Sequence, residues 1–184
     1  MNRQTRYFQK SHLQDQPQNQ PLNLEEENNM RPESKDIQSI LCKGAIFFGL
    51  MACLSIVLTP SCSTRKLTDK DYFDFGNHFV AEGDYVKAQY NFTRAIKMNP
   101  AYLEAYTERA KAWEKSDSLR RAIRDYDSVL TFKALTFSQK ASFYYTRANL
   151  YYQLSEDTIA CKSWREACNL NHNASCDEIR KKCK

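Results

Sequence analysis

The sequence predicts an all-α protein: a short α-solenoid of three helix–turn–helix repeats followed by a C-terminal capping helix. Three observations carry that prediction. A spaced pattern, Tyr72, Gly76, Phe79, Ala88, Phe92, Ala95 and Pro100, returns 34 residues on as Tyr106, Ala110, Trp113, Ala122, Tyr126 and Val129, and a further 38 on as Tyr144, Ala148, Tyr151, Ala160, Trp164 and Ala167. Each slot keeps its size class, alternating large aromatic with tiny and ending on small, as stacked helix pairs require. Glycine is scarce, at four residues, while tyrosine reaches 11, a composition suited to helices packed through aromatic rings. An array of this kind presents a surface to partners rather than a reaction centre.

Ahead of the repeats, residues 1–39 read as disordered, because Gln14 to Asn29 is rich in Gln, Asn, Pro and Glu with almost nothing to bury. Residues 40–61 hold an apolar segment whose core, Ala45 to Thr59, is 15 residues long and follows Lys43. A membrane-spanning helix wants about 20 apolar residues and a signal-peptide core about 7–15, so this run reads as a signal peptide. It ends at Pro60-Ser61-Cys62, before the polar Ser63 to Lys66. A basic residue, a short apolar core, a small residue and then cysteine resembles the signal peptide of bacterial lipoproteins. The resemblance implies cleavage before Cys62, lipid on Cys62, and a place in a bacterial cell envelope facing the periplasm. Thr59 stands where that family usually has Leu, with Leu58 one further back. Leu50-Met51-Ala52-Cys53 fits the short motif better, but a cut there would leave Leu54-Ser55-Ile56-Val57-Leu58 at the mature N-terminus. An uncleaved single-pass anchor is the alternative. The polar lead of 43 residues is long for a signal peptide, and a start at Met30 would restore ordinary length. Residues 1–29 therefore read as a mis-assigned start or a short cytoplasmic tail. Residues 62–68 form a tether, and residues 69–184 the solenoid.

Within the solenoid, Thr68 with Asp71 three residues on marks the cap of the first helix. Tyr72, Gly76 and Phe79 share one helical stripe, and Ala88, Phe92 and Ala95 another. The small residues let two helices approach, and the aromatics fill the space beside them. Gly83-Asp84, Ser116-Asp117 and Ser155-Glu156-Asp157 read as the turns inside the three hairpins. Pro100 stops the second helix near Met98. The four extra residues between the second and third copies fall near Lys133–Gln139 and read as a loop insertion. A plain amphipathic bundle would give the same helices without a regular superhelix.

The three copies resemble the tetratricopeptide repeat family over about Asp69 to Leu170. Gly76, Ala88, Ala95 and Pro100 are in register in the first copy; in the other two, alanine replaces the glycine and the closing proline is missing. The resemblance implies a concave groove lined by the first helix of each repeat. Its slots here are Phe73, Asn77 and Val80, then Thr107, Lys111 and Glu114, then Tyr145, Asn149 and Tyr152. This mixed aromatic and polar surface suits an extended peptide or a partner helix; packing is the other reading of its aromatic members. The family's clamp for acidic chaperone tails needs Lys, Arg and Asn at set positions. Asn77 matches one, while Phe73, Glu108, Ser142 and Thr146 replace the others, so that activity is not implied.

The seven cysteines divide by position. Cys42 and Cys53 would leave with the signal peptide, and Cys62 would carry lipid. Cys161 and Cys168 are seven apart on the second helix of repeat three; Cys176 and Cys183 are seven apart on a final helix, with Asn171-His172-Asn173-Ala174 as a short turn between. Folding these helices back antiparallel pairs Cys168 with Cys176 near the turn and Cys161 with Cys183 at the far end. A disulfide needs Cα atoms about 4.4–6.8 Å apart, an approach that Ala160, Ala167 and Ala174 permit. A periplasmic address makes oxidation expected. The Cys168–Cys176 pair also resembles the helix-pinning disulfide of certain cysteine-rich bacterial helical repeats. A four-thiolate zinc site is the competing reading, but cysteines seven apart lie about 10.5 Å apart along a helix, too far for one ion with ~2.3 Å bonds. Four buried reduced thiols are a third reading if the repeats are cytoplasmic.

Lys and Arg total 27 against 22 Asp and Glu, a net of +5, and the charges alternate along the repeats as on any solvated helix. Nucleic acid is therefore not an expected partner. The basic tail Arg180, Lys181, Lys182 and Lys184 complements a helix C-terminus. The four glycines are too scattered for a phosphate-cradling loop. His12 lies in the lead, His78 has no histidine at i+4, and His172 falls in the turn. Asp125 and Asp127, two apart on a helix, point to different sides. No catalytic residue, cofactor or metal is expected. The expected function is a membrane-anchored, protein-binding adaptor or scaffold in a periplasm-facing complex. The alternatives are a single-pass membrane protein with the same repeats, or a peptide- or ligand-binding module of an envelope uptake system.

Overall fold

A computed structural model describes residues 66–183. Cys62, the apolar segment 40–61 and the lead 1–39 lie outside the described residues. The described chain forms seven helices in order: α1 (Asp69–Glu82), α2 (Tyr85–Met98), α3 (Leu103–Lys115), α4 (Leu119–Leu130), α5 (Phe137–Gln153), α6 (Asp157–Asn169) and α7 (Asn173–Lys182). They pair as α1–α2, α3–α4 and α5–α6, each hairpin stacks on the next, and α7 folds back on α6. This is the all-α, three-repeat solenoid with a capping helix.

Local chemistry starts and stops the helices. Asp71 N–H donates to Thr68 Oγ1 at 3.2 Å, and Thr68 N–H donates to Asp71 Oδ2 at 2.8 Å. Two otherwise orphaned amides are satisfied reciprocally, with Asp in place of the usual Glu. α1 ends at Gly83, whose φ of +79 is left-handed. Asp117, Ser155 and Asn171 take the same left-handed turn at φ 58, 60 and 64. One turn geometry thus recurs four times, and glycine supplies it once; elsewhere a short polar residue tolerates it.

Two sequence expectations are corrected. The extra residues before repeat three do not form a loop over Lys133–Gln139. The connection is 131–136, and α5 starts seven residues before Tyr144, whereas α3 starts three before Tyr106. The insertion is an additional N-terminal turn of α5, nucleated by a Thr136–Gln139 capping box. The turn before the last helix is also shorter than Asn171–Ala174. His172 Nδ1 accepts from Ser175 N–H at 3.3 Å, and this cap draws Asn173 and Ala174 into α7.

The repeated slots build the core. Ala88, Ala110, Ala122, Ala148 and Ala160 are fully buried, as are Phe92 and Trp164. At the one slot holding glycine, a Cβ on Gly76 would lie 2.4 Å from the Phe92 ring, so α1 and α2 approach more closely than alanine allows. α7 adds little apolar burial, its one fully buried residue being Ser175. It is held by Cys161–Cys183 and Cys168–Cys176, with Cα atoms 5.8 and 5.1 Å apart. These are the two pairs that antiparallel register implies.

A polar slot also repeats. Arg109 donates from Nε and Nη2 to Asp125 (2.8 and 2.6 Å) and from Nη1 to Thr93 (2.9 Å). Arg147, 38 residues on, donates to Asp127 (2.6 Å) and Ser163 (3.1 Å). Each guanidinium spans the second helices of its own repeat and the one before, with one carboxylate and one hydroxyl. Arg109 finds the carboxylate in its own hairpin; Arg147 finds it in the preceding one. Each also lies over the tyrosine three residues earlier, Tyr106 at 5.6 Å and Tyr144 at 5.1 Å. Asp125 and Asp127 thus serve different helices, and neither is a member of a carboxylate pair.

Candidate partner groove

The nine groove slots fall on α1, α3 and α5, and the structure treats the three sets differently. Phe73 is half-buried, its ring 4.9 Å from Tyr102 and 5.7 Å from Phe92. It joins the first two hairpins. Val80 packs on the Phe75–Phe79 cluster, and Asn77 is exposed. On α3, half-buried Thr107 donates from Oγ1 to the Leu103 carbonyl at 3.0 Å. Lys111 is exposed and pairs with Glu108 at 2.7 Å. Glu114 accepts from the Tyr126 hydroxyl at 2.6 Å. Burial first, and then the bond to Glu114, push the Tyr126 phenol well above its ordinary pKa.

The third set is engaged by the protein itself. The Tyr145 ring lies 4.7 Å from His172, the residue that caps α7. Asn149 Oδ1 accepts from Trp164 Nε1 at 3.1 Å. Tyr152 packs 5.5 Å from Trp164, with Lys182 Nζ 4.2 Å above its ring. Trp164 is fully buried, so its indole N–H needs a partner inside the fold, and Asn149 supplies it. Sequence spacing places these residues on the right helix and predicts α7 as a cap, but not that His172 and Lys182 at its two ends pack against Tyr145 and Tyr152. The remaining open stretch runs along α1 and α3, where Asn77 and Lys111 hold the same slot in successive repeats.

The four cysteines of the described residues are joined as two disulfides. Among the described residues, no group of three or more His, Cys, Asp and Glu side chains is arranged to hold a metal ion.

No protein-family model matches the sequence. Solved structures do resemble the fold. The N-terminal domain of stress-induced protein-1 from C. elegans matches with a TM-score of 0.59 at 12% identity, over 63% of this chain and 94% of that one. The first TPR domain of Spaghetti (RPAP3), bound to an HSP90 peptide SRMEEVD, matches with a TM-score of 0.51 at 22% identity, over 62% and 89% of the two chains. A chain of a CopN–Scc3 complex matches with a TM-score of 0.53 at 15% identity. At these identities the likeness is one of architecture. The described residues fold as a tetratricopeptide-type array of three helical hairpins and a cap.

Proposed function

We propose that the protein is a membrane-anchored adaptor that holds an extended peptide, or a helix, of a partner protein along α1 and α3. In this reading it is attached by lipid at Cys62 and faces the periplasm of a bacterial envelope. The observation that carries the binding role is the pair of equivalent exposed slots, Asn77 and Lys111, on successive repeats of an array whose third set is already engaged. An exposed amide both donates and accepts, as a peptide backbone requires. A resembling fold is known with a peptide bound, which supports this use of the architecture. That peptide is acidic by its printed sequence, and Phe73, Glu108, Ser142 and Thr146 make an acidic ligand a poor fit here. The two disulfides support an oxidising address, and Pro60-Ser61-Cys62 after the apolar run supports the lipid anchor.

The test is purification of the native protein from its own membranes in mild detergent, with mass spectrometry of what remains bound. A partner at fixed stoichiometry is expected. Its affinity should fall about tenfold or more, a loss of roughly 1.4 kcal/mol, in Asn77→Ala/Lys111→Ala, with the circular dichroism unchanged. A clean monomer would exclude the adaptor, and a partner held equally well by the double variant would exclude the groove.

A further inference from the structure

The third set of groove slots lies under a cover. Tyr145, Asn149 and Tyr152 stand on α5 where Phe73, Asn77 and Val80 stand on α1, and α7 spans them. At one end its cap residue His172 lies 4.7 Å from the Tyr145 ring. At the other, Lys182 Nζ lies 4.2 Å above Tyr152 and 5.1 Å above Trp164. Ile179 and Cys183 pack on the Trp164 cluster.

Apart from its sulfur, the cover is weakly held. α7 has 10 residues, fewer than the about 12–15 that a helix needs to persist alone in water. Only its Ser175 is fully buried. Its ion pairs, Arg180 with Asp177 and Lys182 with Glu178, lie within α7 and fasten it to nothing else. The face beneath is built without it. α5 and α6 are joined by Trp164 Nε1 donating to Asn149 at 3.1 Å, by Arg147 Nη2 donating to Ser163 at 3.1 Å, and by fully buried Ala148 and Ala160. The covalent attachments are open to chemistry. Cys183 in one bridge, and Cys168 and Cys176 in the other, are only half-buried, so each bridge has a member near solvent.

We infer that α7 is a redox-released cover of the groove's third set. With both bridges formed it closes Tyr145, Tyr152 and Trp164. A dithiol reductant opens it. The reductant's thiolate attacks one sulfur of a bridge and forms a mixed disulfide; its second thiol then displaces the protein thiolate. The S–S bond breaks, the bridge takes up an electron pair and two protons as a pair of protein thiols, and the dithiol leaves as a disulfide. With α7 gone, Asn149 keeps Trp164 on its Oδ1 and presents its amide N–H groups in the slot of Asn77 and Lys111. The binding stretch then runs over three repeats instead of two. That consequence rests on the groove proposed above; the release of α7 does not.

The full chain is treated with excess dithiothreitol and followed by hydrogen exchange, with alkylation of an aliquot scoring which cysteines are free. Exchange across 173–182 is expected to quicken about tenfold or more on reduction, while α5 and α6 hold within about twofold. In Trp113→Phe, which leaves Trp164 as the one tryptophan, acrylamide quenching should rise about threefold or more. Reoxidation should reverse both changes. Cys161→Ser/Cys168→Ser/Cys176→Ser/Cys183→Ser should show the opened state without reductant. Bridges that survive the dithiol, an α7 still protected after full reduction, or a Trp164 still shielded overturns the cover. Loss of α5 and α6 together with α7, in the reduced protein or the variant, overturns it as well, because the bridges then staple the repeat and do not gate it. Neither readout involves a partner, so a failed groove leaves both unchanged.

Discussion

Tyr126 shows how one side chain can carry both packing and a testable electrostatic signature. Its ring is buried in the second hairpin, and its hydroxyl donates to Glu114 at 2.6 Å. Burial and the carboxylate raise the folded pKa above the ordinary value of 10.0. A raised pKa means that folding favours the protonated phenol. That contribution is complete below the unfolded pKa and is lost as pH rises above about 10, at up to roughly 1.4 kcal/mol per pH unit. Tyr126→Phe should cost about 1–2 kcal/mol near pH 8, through the lost bond to a charged acceptor. Because the phenylalanine does not titrate, the deficit should nearly close by about pH 11. Denaturant unfolding of both proteins at the two pH values checks this; a constant gap would mean that the phenol is not shielded. At this scale the apolar slots were legible in the sequence, because Gly76, Ala110 and Ala148 or Phe92, Tyr126 and Trp164 keep their size in each copy. The arginine slot was not. Arg109 and Arg147 exchange which partner is the carboxylate, Asp125 in one case and Asp127 in the other, so chemical identity does not repeat although geometry does.

Among the elements, α7 depends most on covalent chemistry. It is short, largely polar, and buries only Ser175 fully. Its other attachments include Ile179 against the Trp164 cluster, the Tyr145–His172 contact, and Lys182 over Tyr152 and Trp164. The two disulfides close segments with sequence separations of 22 and 8. By chain entropy they stabilise by about 3.4 and about 2.5 kcal/mol. Cys161→Ser/Cys183→Ser should therefore destabilise more than Cys168→Ser/Cys176→Ser, by about 1 kcal/mol. In either variant, hydrogen exchange across 173–182 should quicken before that of α1–α4. Equal protection of α7 in both variants and the parent would show that noncovalent packing suffices. The register of the cysteines was readable from spacing alone, since a helix turned back about His172 meets itself in only one way. The boundaries of α5 and α7 were not, because each was set by a cap, Thr136 with Gln139 and His172 with Ser175, at residues that also suit a loop.

Across the whole molecule, a stacked array is only as cooperative as its weakest junction, and the two junctions here differ in kind. Between the first and second repeats, Gln89 Nε2 donates to the Ala112 carbonyl at 3.0 Å and to Ser116 at 2.8 Å near the end of α3, and the Phe73–Tyr102 contact lies at its start. Gln89 is buried and its bonds are neutral; the one charged donor here, Arg109 Nη1 to Thr93 at 2.9 Å, is itself largely buried. Between the second and third, Arg147 meets Asp127 at 2.6 Å and Arg120 meets Glu156 at 2.8 Å, around Leu150 and the Tyr126–Phe143 contact. Asp127 and Arg120 are about half exposed, at 47% and 53%, so salt reaches their ion pairs. Raising NaCl from about 0.1 to 1 M shortens the screening length from about 10 to 3 Å. At up to about 1 kcal/mol for a partly exposed pair, α5 and α6 should exchange amide hydrogens about fivefold faster in high salt, while α1–α3 hold. α7, stapled to α6, should follow α6. Arg147→Gln should reproduce part of the effect at low salt and reduce its salt dependence, the remainder belonging to Arg120–Glu156. Uniform loss of protection along the chain would instead mean that the apolar contacts at Leu150 and Tyr126 already bind the three repeats into one unit, and that the arginine only trims its curvature.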